Sequence, residues 1–192
     1  MQWSNQAQSA LVSPISPSDF ADYLALDYDP SLDAELNTYL LTACEMAISH
    51  TNHELLSRVN VLSIHNDERL KLQVVSDYFV SNTIRLARYP VTSVDDVTIN
   101  GDVTTNYTEN LKMRPAFIKL TATGLIDADY TVTYTAGYAT ADEIPHTYIM
   151  AIKQLAAFLY DNRGDCSVSD AIKQSGAGLG LDLMRVQYGA VL

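Results

Sequence analysis

The chain has 192 residues, of which 47% are hydrophobic, and a formal net charge of −11. A chain of this length can bury enough apolar surface to fold without a metal ion, and its two cysteines are too few for a disulfide framework. All 12 Lys and Arg residues lie at or beyond Arg58, so residues 1–57 carry only acidic charge. Binding to a phosphate backbone needs clustered Lys and Arg, so this distribution disfavours a DNA-binding module.

The first residues, Met1 to Gln6, lack the basic segment and apolar run of a secretory signal. No later segment is long and apolar enough to span a membrane. We therefore expect no membrane partner, and synthesis in a reducing cytosol.

The N-terminal segment predicts a flexible arm followed by two helices. Residues 1–15 are polar and have no hydrophobic period, which is typical of a flexible arm. Ser16-Pro17-Ser18-Asp19 combines an N-cap serine, a proline at the first helical position and an acid three residues after the cap. Asp29-Pro30 repeats this start, and apolar residues at three- and four-residue steps predict a longer helix that ends near residues 50–52.

The hydrophobic period changes to two after residue 57, which predicts half-buried strands. Asn100-Gly101 predicts a hairpin with a type I′ turn, because that turn needs positive φ at both central residues. The predicted strands lie around Val59 and Val61, Leu70 to Val74, Ile84 to Leu86, Phe117 to Leu120, and Tyr130 to Thr135.

At Pro145 the helical period returns and continues to Asn162-Arg163-Gly164, where the helix should stop. Residues 164–192 then combine the closely spaced glycines Gly176, Gly178 and Gly180 with apolar residues. This mixture predicts a flexible tail with an apolar docking segment, and truncation after Gly164 should leave a folded domain. The partner-binding candidates in the tail are Leu179, Leu181, Leu183, Met184 and Tyr188.

This order of elements predicts an α+β fold. A small helical bundle forms from the N- and C-terminal segments, residues 16–57 and 142–163. An antiparallel β-rich domain, residues 58–141, is inserted between them. The arm, residues 1–15, and the tail, residues 164–192, complete the predicted organisation.

The pair His50 and His53, with Glu54 beside it, is the candidate metal site of a metal-dependent hydrolase. Its spacing fits neither of the usual helical zinc motifs. Histidines near a helix C-terminus, where partial negative charge favours them, are the preferred interpretation. Replacing both histidines by alanine should then change stability only slightly.

Other sites that could carry chemistry fail on their spacing. Asp27 to Ser31 resembles the start of a calcium loop, but Leu32 stands where glycine is needed and Thr38 where a glutamate is needed. The glycines of the tail follow no strand and lack the Lys-Ser/Thr ending of a phosphate loop. No serine stands in a Gly-x-Ser-x-Gly turn. The sequence thus predicts no enzyme, no cofactor and no metal.

The 12 tyrosines fit two interpretations equally well, a protein-protein surface or half-buried strands.

From Ile84 onward, the chain resembles the head-tail connector family of tailed bacteriophages, also called head completion or adaptor proteins. Family members show a similar Pro-x-x-Ser-Val, a Val-x-Tyr-x-Ala-Gly-Tyr, a Pro-led helix and a Tyr-x-Asn-Arg ending. Residues 15–20 also resemble the start of the family, residues 52–81 fit less clearly, and the tail departs most. The similar strings are Ile84 to Leu86 leading into Tyr89 to Val94, Tyr130 to Tyr138, Ile144-Pro145, and Leu159 to Arg163.

The residues of these strings have scaffold roles, in which Pro90 marks an edge or a strand start and Gly137 a sharp exit from the sheet. The scaffold set is Pro90, Tyr134, Gly137, Tyr138, Pro145, Tyr160, Asn162 and Arg163.

The resemblance implies a structural virion protein whose copies form a ring, commonly a dodecamer. The ring docks on the portal protein after DNA packaging, encloses DNA without sequence-specific binding, and joins a downstream neck or tail protein. Another neck component, such as a stopper or tail-completion protein, is the open alternative. The hairpin at Asn100-Gly101 is the second candidate docking surface, after the tail. We also expect the acidic helical end to face the DNA channel or a basic neighbour.

Overall fold

The computed structural model describes residues 2–65, 79–80, 82–121, 128–162 and 167–186. The predicted strand at Leu70 to Val74 and the residues Arg163, Gly164 and Tyr188 lie outside these ranges. No helix in the described ranges is both long and apolar enough to cross a membrane.

The α+β class is confirmed, and the chain divides into two compact units. A helical unit comprises Leu11–Leu56 and Tyr138–Arg185. A β unit comprises Met1–Ala10, Ser57–Gly137 and Val186–Leu192. The helical unit therefore extends beyond residue 163, and the β unit takes in residues before residue 58.

The first helices of the helical unit begin and end where local chemistry places them. Helix α1 spans Pro17–Tyr23, and the Ser16 hydroxyl accepts a 3.1 Å hydrogen bond from the backbone N–H of Asp19, which confirms the predicted cap. The carboxylate of Asp29 caps a 3₁₀ turn, Pro30–Leu32, and helix α2 follows at Asp33–Thr51. Asn52 ends α2 in the left-handed conformation, at φ 55°.

Three further helices complete this unit, α3 at His146–Asp161, α4 at Val168–Gln174 and α5 at Gly178–Met184. The buried side chains of all five helices belong to one hydrophobic core. Among them, Phe20, Leu40, Leu155 and Leu181 have no exposed surface.

The prediction of a flexible tail is wrong for residues 167–184, because α4 and α5 pack into this core. Each helix has only seven residues, too few turns for a hydrophobic period to be recognised. A local signal was nevertheless present. Ser167 accepts a hydrogen bond from the backbone N–H of Asp170, the same capping arrangement that starts α1.

The β unit contains a five-stranded antiparallel sheet of order β1-β2-β9-β5-β6. Its strands are β1 at Gln2–Ala7, β2 at Arg58–His65, β5 at Val91–Ile99, β6 at Asp102–Val103 and β9 at Tyr130–Ala136. A second antiparallel sheet has the order β3-β4-β8-β7. Its strands are β3 at Phe79–Val80, β4 at Thr83–Arg85, β7 at Tyr107–Asn110 and β8 at Phe117–Leu120.

Side chains from both sheets share a core that contains Leu62, Ile84, Ile118 and Tyr130. The alternation in residues 83–85, 117–120 and 130–136 therefore predicted strands that form it, because each strand buries every second side chain. The strand predicted at Val59 and Val61 exists as β2, but its buried side chains are Asn60, Leu62 and Ile64, on the other face.

The prediction of a flexible arm is wrong for residues 2–7. They form β1 and pair with β2, from Gln2 opposite His65 to Ala7 opposite Asn60. The strand is held by main-chain hydrogen bonds and by Asn5, which donates to Asn60 and accepts from the Tyr134 hydroxyl. An edge strand held in this way needs no apolar alternation, so the hydrophobic pattern gave no sign of it.

Candidate functional site

The two histidines that suggested a metal site hold helix α5 to the end of α2. Nε2 of His50 lies 2.9 Å from a carboxylate oxygen of Asp182, in an exposed pair. Nδ1 of His53 lies 3.2 Å from the carbonyl oxygen of Met184, the last residue of α5. The two side chains thus contact different residues of α5 and do not converge on one point.

His53 is buried, with 1% of its surface exposed, and its ring is fixed on several sides. Nε2 lies 3.1 Å from the Tyr138 hydroxyl, and the Tyr138 ring stacks on the imidazole at a centroid distance of 5.7 Å. A carbonyl oxygen can only accept, so Nδ1 carries a proton toward Met184. In the neutral ring, Nε2 then accepts from Tyr138.

The loop after α2 is held by Tyr148 of α3. Its hydroxyl donates to the carbonyl oxygen of His53 at 2.9 Å and lies 3.0 Å from Oγ1 of Thr51. Thr51 in turn bonds back to the carbonyl of Ala47. The histidine region is therefore a buried brace between helices, built from groups already engaged with each other.

Within the ranges that the structure describes, no group of three or more His, Cys, Asp or Glu side chains is placed to hold a metal ion. Cys44 is buried in the helical core.

The apolar residues of the predicted docking segment separate into two faces of α5. Leu181 has no exposed surface and Met184 only 8%, so both belong to the helical core and are withdrawn as docking candidates. Leu179 and Leu183 are 76% and 64% exposed on the opposite side of the helix. Tyr188 lies outside the described residues.

The exposed face of α5 borders an open groove of about 390 Å³. Met150 of α3 contributes the other apolar wall and is 45% exposed. The remaining residues that line the groove are polar or small. They are His146, Thr147, Ala151 and Gln154 on α3, together with Gly176 and Gly180.

Gly180 allows α5 to lie directly against α3. A Cβ at this position would stand 3.1 Å from Cβ of Ala151 and 3.2 Å from the carbonyl oxygen of Thr147. Gly178, two residues earlier, has ordinary contacts no closer than 3.7 Å. Flexibility was the sequence interpretation of these glycines, and the structure shows close packing at one of them.

The hairpin prediction is confirmed. Asn100 and Gly101 both have positive φ, 53° and 89°, between the paired residues Ile99 and Asp102. Asn100 also fixes the turn to the start of β9, because its side-chain oxygen accepts from the backbone N–H of Asp129 at 2.8 Å. The tip is exposed, as is Val103 at 69%.

In the β unit, the scaffold residues stabilise the ends of strands. Pro90 immediately precedes β5, as expected for a strand start, and its carbonyl oxygen accepts from the N–H of Gly137. Gly137 leaves the sheet after β9 at φ 115°, a conformation that favours glycine. Tyr134 is buried and reaches β1 through Asn5.

In the helical unit, the scaffold residues lie around α3. Pro145 is the residue before its first turn, and Asn162 ends it by bonding its side-chain N–H to the carbonyl of Phe158. Tyr160 packs edge-to-face on Tyr39 of α2, at 5.6 Å. Tyr138 stacks on His53, and Arg163 lies outside the described residues.

Charge is unevenly divided between the two units. The helical unit has 14 acidic and 4 basic residues, a net charge of −10, which leaves −1 for the β unit. The acids Asp29 and Asp33 form hydrogen bonds with nearby residues. Backbone and side-chain hydrogen bonds from Ser31 lower the pKa of Asp29, and the hydrogen bond to Asp33 raises the pKa of Tyr28.

No protein-family model matches the chain, and no curated protein matches its sequence. Solved structures do match its fold. A chain in the neck of an empty gene transfer agent (GTA) particle, computed with C6 symmetry, superposes with a TM-score of 0.71 at 19% identity, covering 90% of this chain and 94% of that one. A chain of the native GTA virion gives 0.67 at 19% identity, over 88% and 93%. A chain in the native GTA neck, computed with C12 symmetry, gives 0.65 at 19% identity, over 90% and 94%. This chain therefore shares its fold, over nearly its whole length, with chains of these particles.

Proposed function

We propose that the chain is a structural virion protein of the neck, a head-tail connector (adaptor) subunit. Its copies form a ring that docks on the portal protein after DNA packaging and joins the head to the next neck or tail component. The observation that carries this proposal is the fold similarity to chains of GTA particles, including two of their necks, over about nine-tenths of each chain.

Two further features support the proposal. The strings from Ile84 to Arg163 resemble the connector family in order and spacing, a feature of the sequence alone. One of the matching necks was computed with C6 symmetry and another with C12 symmetry, which is compatible with a ring of this chain, commonly a dodecamer.

The exposed leucines of α5 are the proposed contact with the portal or with an adjacent subunit. Leu179 and Leu183 flank a groove with Met150, and burying a leucine-sized side chain is worth roughly 1.5 to 3 kcal/mol before entropy losses. The hairpin tip at Asn100-Gly101 is the second proposed contact. The acidic charge of the helical unit fits a ring that encloses DNA without binding its sequence, because like charge keeps the phosphate backbone from adhering.

A stopper or tail-completion protein remains the alternative within the neck, and it differs only in the partner on each side of the ring. The metal-dependent hydrolase has less support, since His50 and His53 contact separate residues of α5. Metal analysis of the purified protein discriminates between the classes. One tightly bound zinc ion per chain would contradict the structural role.

Reconstitution tests the proposal. The purified chain is mixed with the portal protein encoded beside it and imaged by electron microscopy. We expect a ring of this chain on one end of the portal. A chain that binds the downstream component and never the portal would be a different neck protein, and one that binds neither would contradict the proposal.

A further inference from the structure

One face of the sheet β3-β4-β8-β7 is partly exposed and carries the cations Arg85 and Lys119. Ile84 and Ile118 pair across β4 and β8 and are buried in the β core. Because side chains alternate along a strand, their neighbours belong to the opposite face. There Arg85 lies beside Phe117, and Lys119 lies between Thr83 and Thr108.

The connection between β7 and β8 extends this surface. Lys112, Met113 and Arg114 are all exposed, Met113 by 53%. The Arg114 guanidinium lies over the Tyr89 ring, 5.5 Å from its centroid. We call this surface the basic face. Its charged residues in the described part of the chain are Arg85, Lys112, Arg114 and Lys119.

The helical unit presents a surface of opposite charge. Helix α1 and the loop after it expose Asp22 and Asp27, and the tyrosines Tyr23 and Tyr28 are 39% and 41% exposed beside them. Tyr23 has Lys153 over its ring, and Tyr28 donates to Asp33. We call residues 22–28 the acidic segment. Exposed aromatic side chains among charges are typical of a protein interface rather than of a solvated surface.

We propose that the basic face of one copy of this chain docks on the acidic segment of the next copy. The inference rests on the proposed function, because it names the surfaces by which the subunits of that ring would meet. The two surfaces differ in sequence and lie in different units, so the contact is head-to-tail, the kind that repeats around a ring until it closes. Complementary charge steers the encounter and fixes its orientation, while Phe117 and Met113 can pack against the two tyrosines.

DNA is the other class of partner for a basic surface, and the observations favour a second copy. Arg85 lies beside Phe117, and Met113 stands between Lys112 and Arg114 in the sequence. These two apolar side chains would gain little from a phosphate backbone. DNA affinity also grows with the number of phosphates that a protein neutralises. The net charge of −11 on this chain repels the phosphate backbone and lowers that affinity.

Charge exchange between copies tests the proposal. Lys112→Glu with Lys119→Glu brings the net charge of the basic face to zero, because Arg85 and Arg114 remain. Asp22→Lys with Asp27→Lys reverses the charge of the acidic segment without removing a helix cap. Self-association is measured by sedimentation velocity at low ionic strength, up to millimolar chain concentration. Each double variant alone should associate about tenfold or more weakly than the wild type, because the first cancels the net positive charge of the basic face and the second gives both surfaces positive charge.

Mixing the two double variants should restore association, in complexes in which a chain of one variant contacts a chain of the other. The matched control for the basic-face variant is Lys173→Glu with Arg185→Glu. These are two exposed cations of the helical unit, and their reversal changes the net charge of the chain by the same amount as Lys112→Glu with Lys119→Glu. The control should associate like the wild type. Thermal unfolding followed by circular dichroism verifies that each variant is folded.

Several results would overturn the proposal. These are a wild type that stays monomeric at millimolar concentration, basic-face variants that associate normally, a mixture that restores nothing, or a control that fails equally. Loss of binding to a DNA duplex with unchanged self-association would assign the basic face to DNA instead. Portal binding is measured on the same preparations. If it persists while the charge effects fail, the connector role stands and only this interface is wrong.

Discussion

At the scale of single residues, Gly180 shows that a small side chain can be required by packing rather than by flexibility. A Cβ there would meet Ala151 and a backbone carbonyl of α3 at 3.1 and 3.2 Å, and backbone cannot move aside cheaply. We expect Gly180→Ala to lower the free energy of unfolding by about 1–3 kcal/mol. Gly178→Ala is the matched control, with an expected change within about 1 kcal/mol in either direction. Urea denaturation followed by circular dichroism measures both, and equal effects would contradict the close packing of α5 on α3.

The two histidines are close in sequence, but they should differ in how much each contributes to the stability of the fold. His53 is buried between Tyr138, Tyr148 and the carbonyl of Met184, so His53→Ala leaves a cavity and unpaired polar groups. We expect a loss of about 2–4 kcal/mol. His50 forms an exposed pair with Asp182, and His50→Ala should cost less than about 1 kcal/mol. The sequence predicted that replacing both histidines by alanine would lower stability only slightly. The structure instead predicts a large loss of stability, caused by the change at His53. Thermal melts of the two single variants decide between them, and a His53→Ala protein as stable as the wild type would refute the brace.

At the scale of elements, α5 has a core face and an exposed face that can be separated by mutation. Leu179→Ser with Leu183→Ser changes only exposed side chains, so the fold should persist and portal binding should weaken. Leu181→Ser places a hydroxyl in the core and should cost about 3 kcal/mol or more in stability. Melting temperature and portal co-sedimentation are measured on both. Normal portal binding by the folded Leu179/Leu183 variant would move the docking surface to the hairpin or the first two helices.

Removal of the segment after residue 164 is a second element-scale test, and its expected result reverses the one drawn from sequence. The segment buries Ala171, Ile172, Ala177, Leu181 and Met184 in the helical core. Each large apolar side chain contributes roughly 1.5–3 kcal/mol by burial. The truncated chain should therefore be unstable or insoluble, as measured by soluble yield and thermal unfolding. A soluble, cooperatively melting product would show that the first three helices suffice.

These elements also show what a sequence can predict. The helix from Asp33 to Thr51 and the strand from Tyr130 to Ala136 were predictable, because each repeats its hydrophobic period several times. The Asn100-Gly101 turn was predictable from backbone conformation alone. Strand β1 was not, since its pairing depends on main-chain groups and on Asn5. The contacts of His53 with α5 join residues 131 positions apart in sequence, which no local pattern encodes.

At the scale of the whole molecule, charge is divided unevenly between the two units. The helical unit carries nearly all of the net negative charge, and the β unit presents a basic face. The proposed contact between copies follows from this segregation, because complementary charge steers the encounter of unlike surfaces. The scaffold residues within the described ranges have local structural explanations in strand ends, helix ends and aromatic packing.

The central claim, that this chain is a subunit of a neck ring, is tested most directly by cryo-electron microscopy of the particles in which it is made. The head-tail junction is reconstructed with the symmetry of the portal, and the structure of the chain is fitted as two separate units. We predict a ring of density next to the portal that accommodates both units in every repeat, with the chain detected in the same particles by mass spectrometry. A junction fully accounted for by other proteins, with this chain absent from purified particles, would contradict the claim.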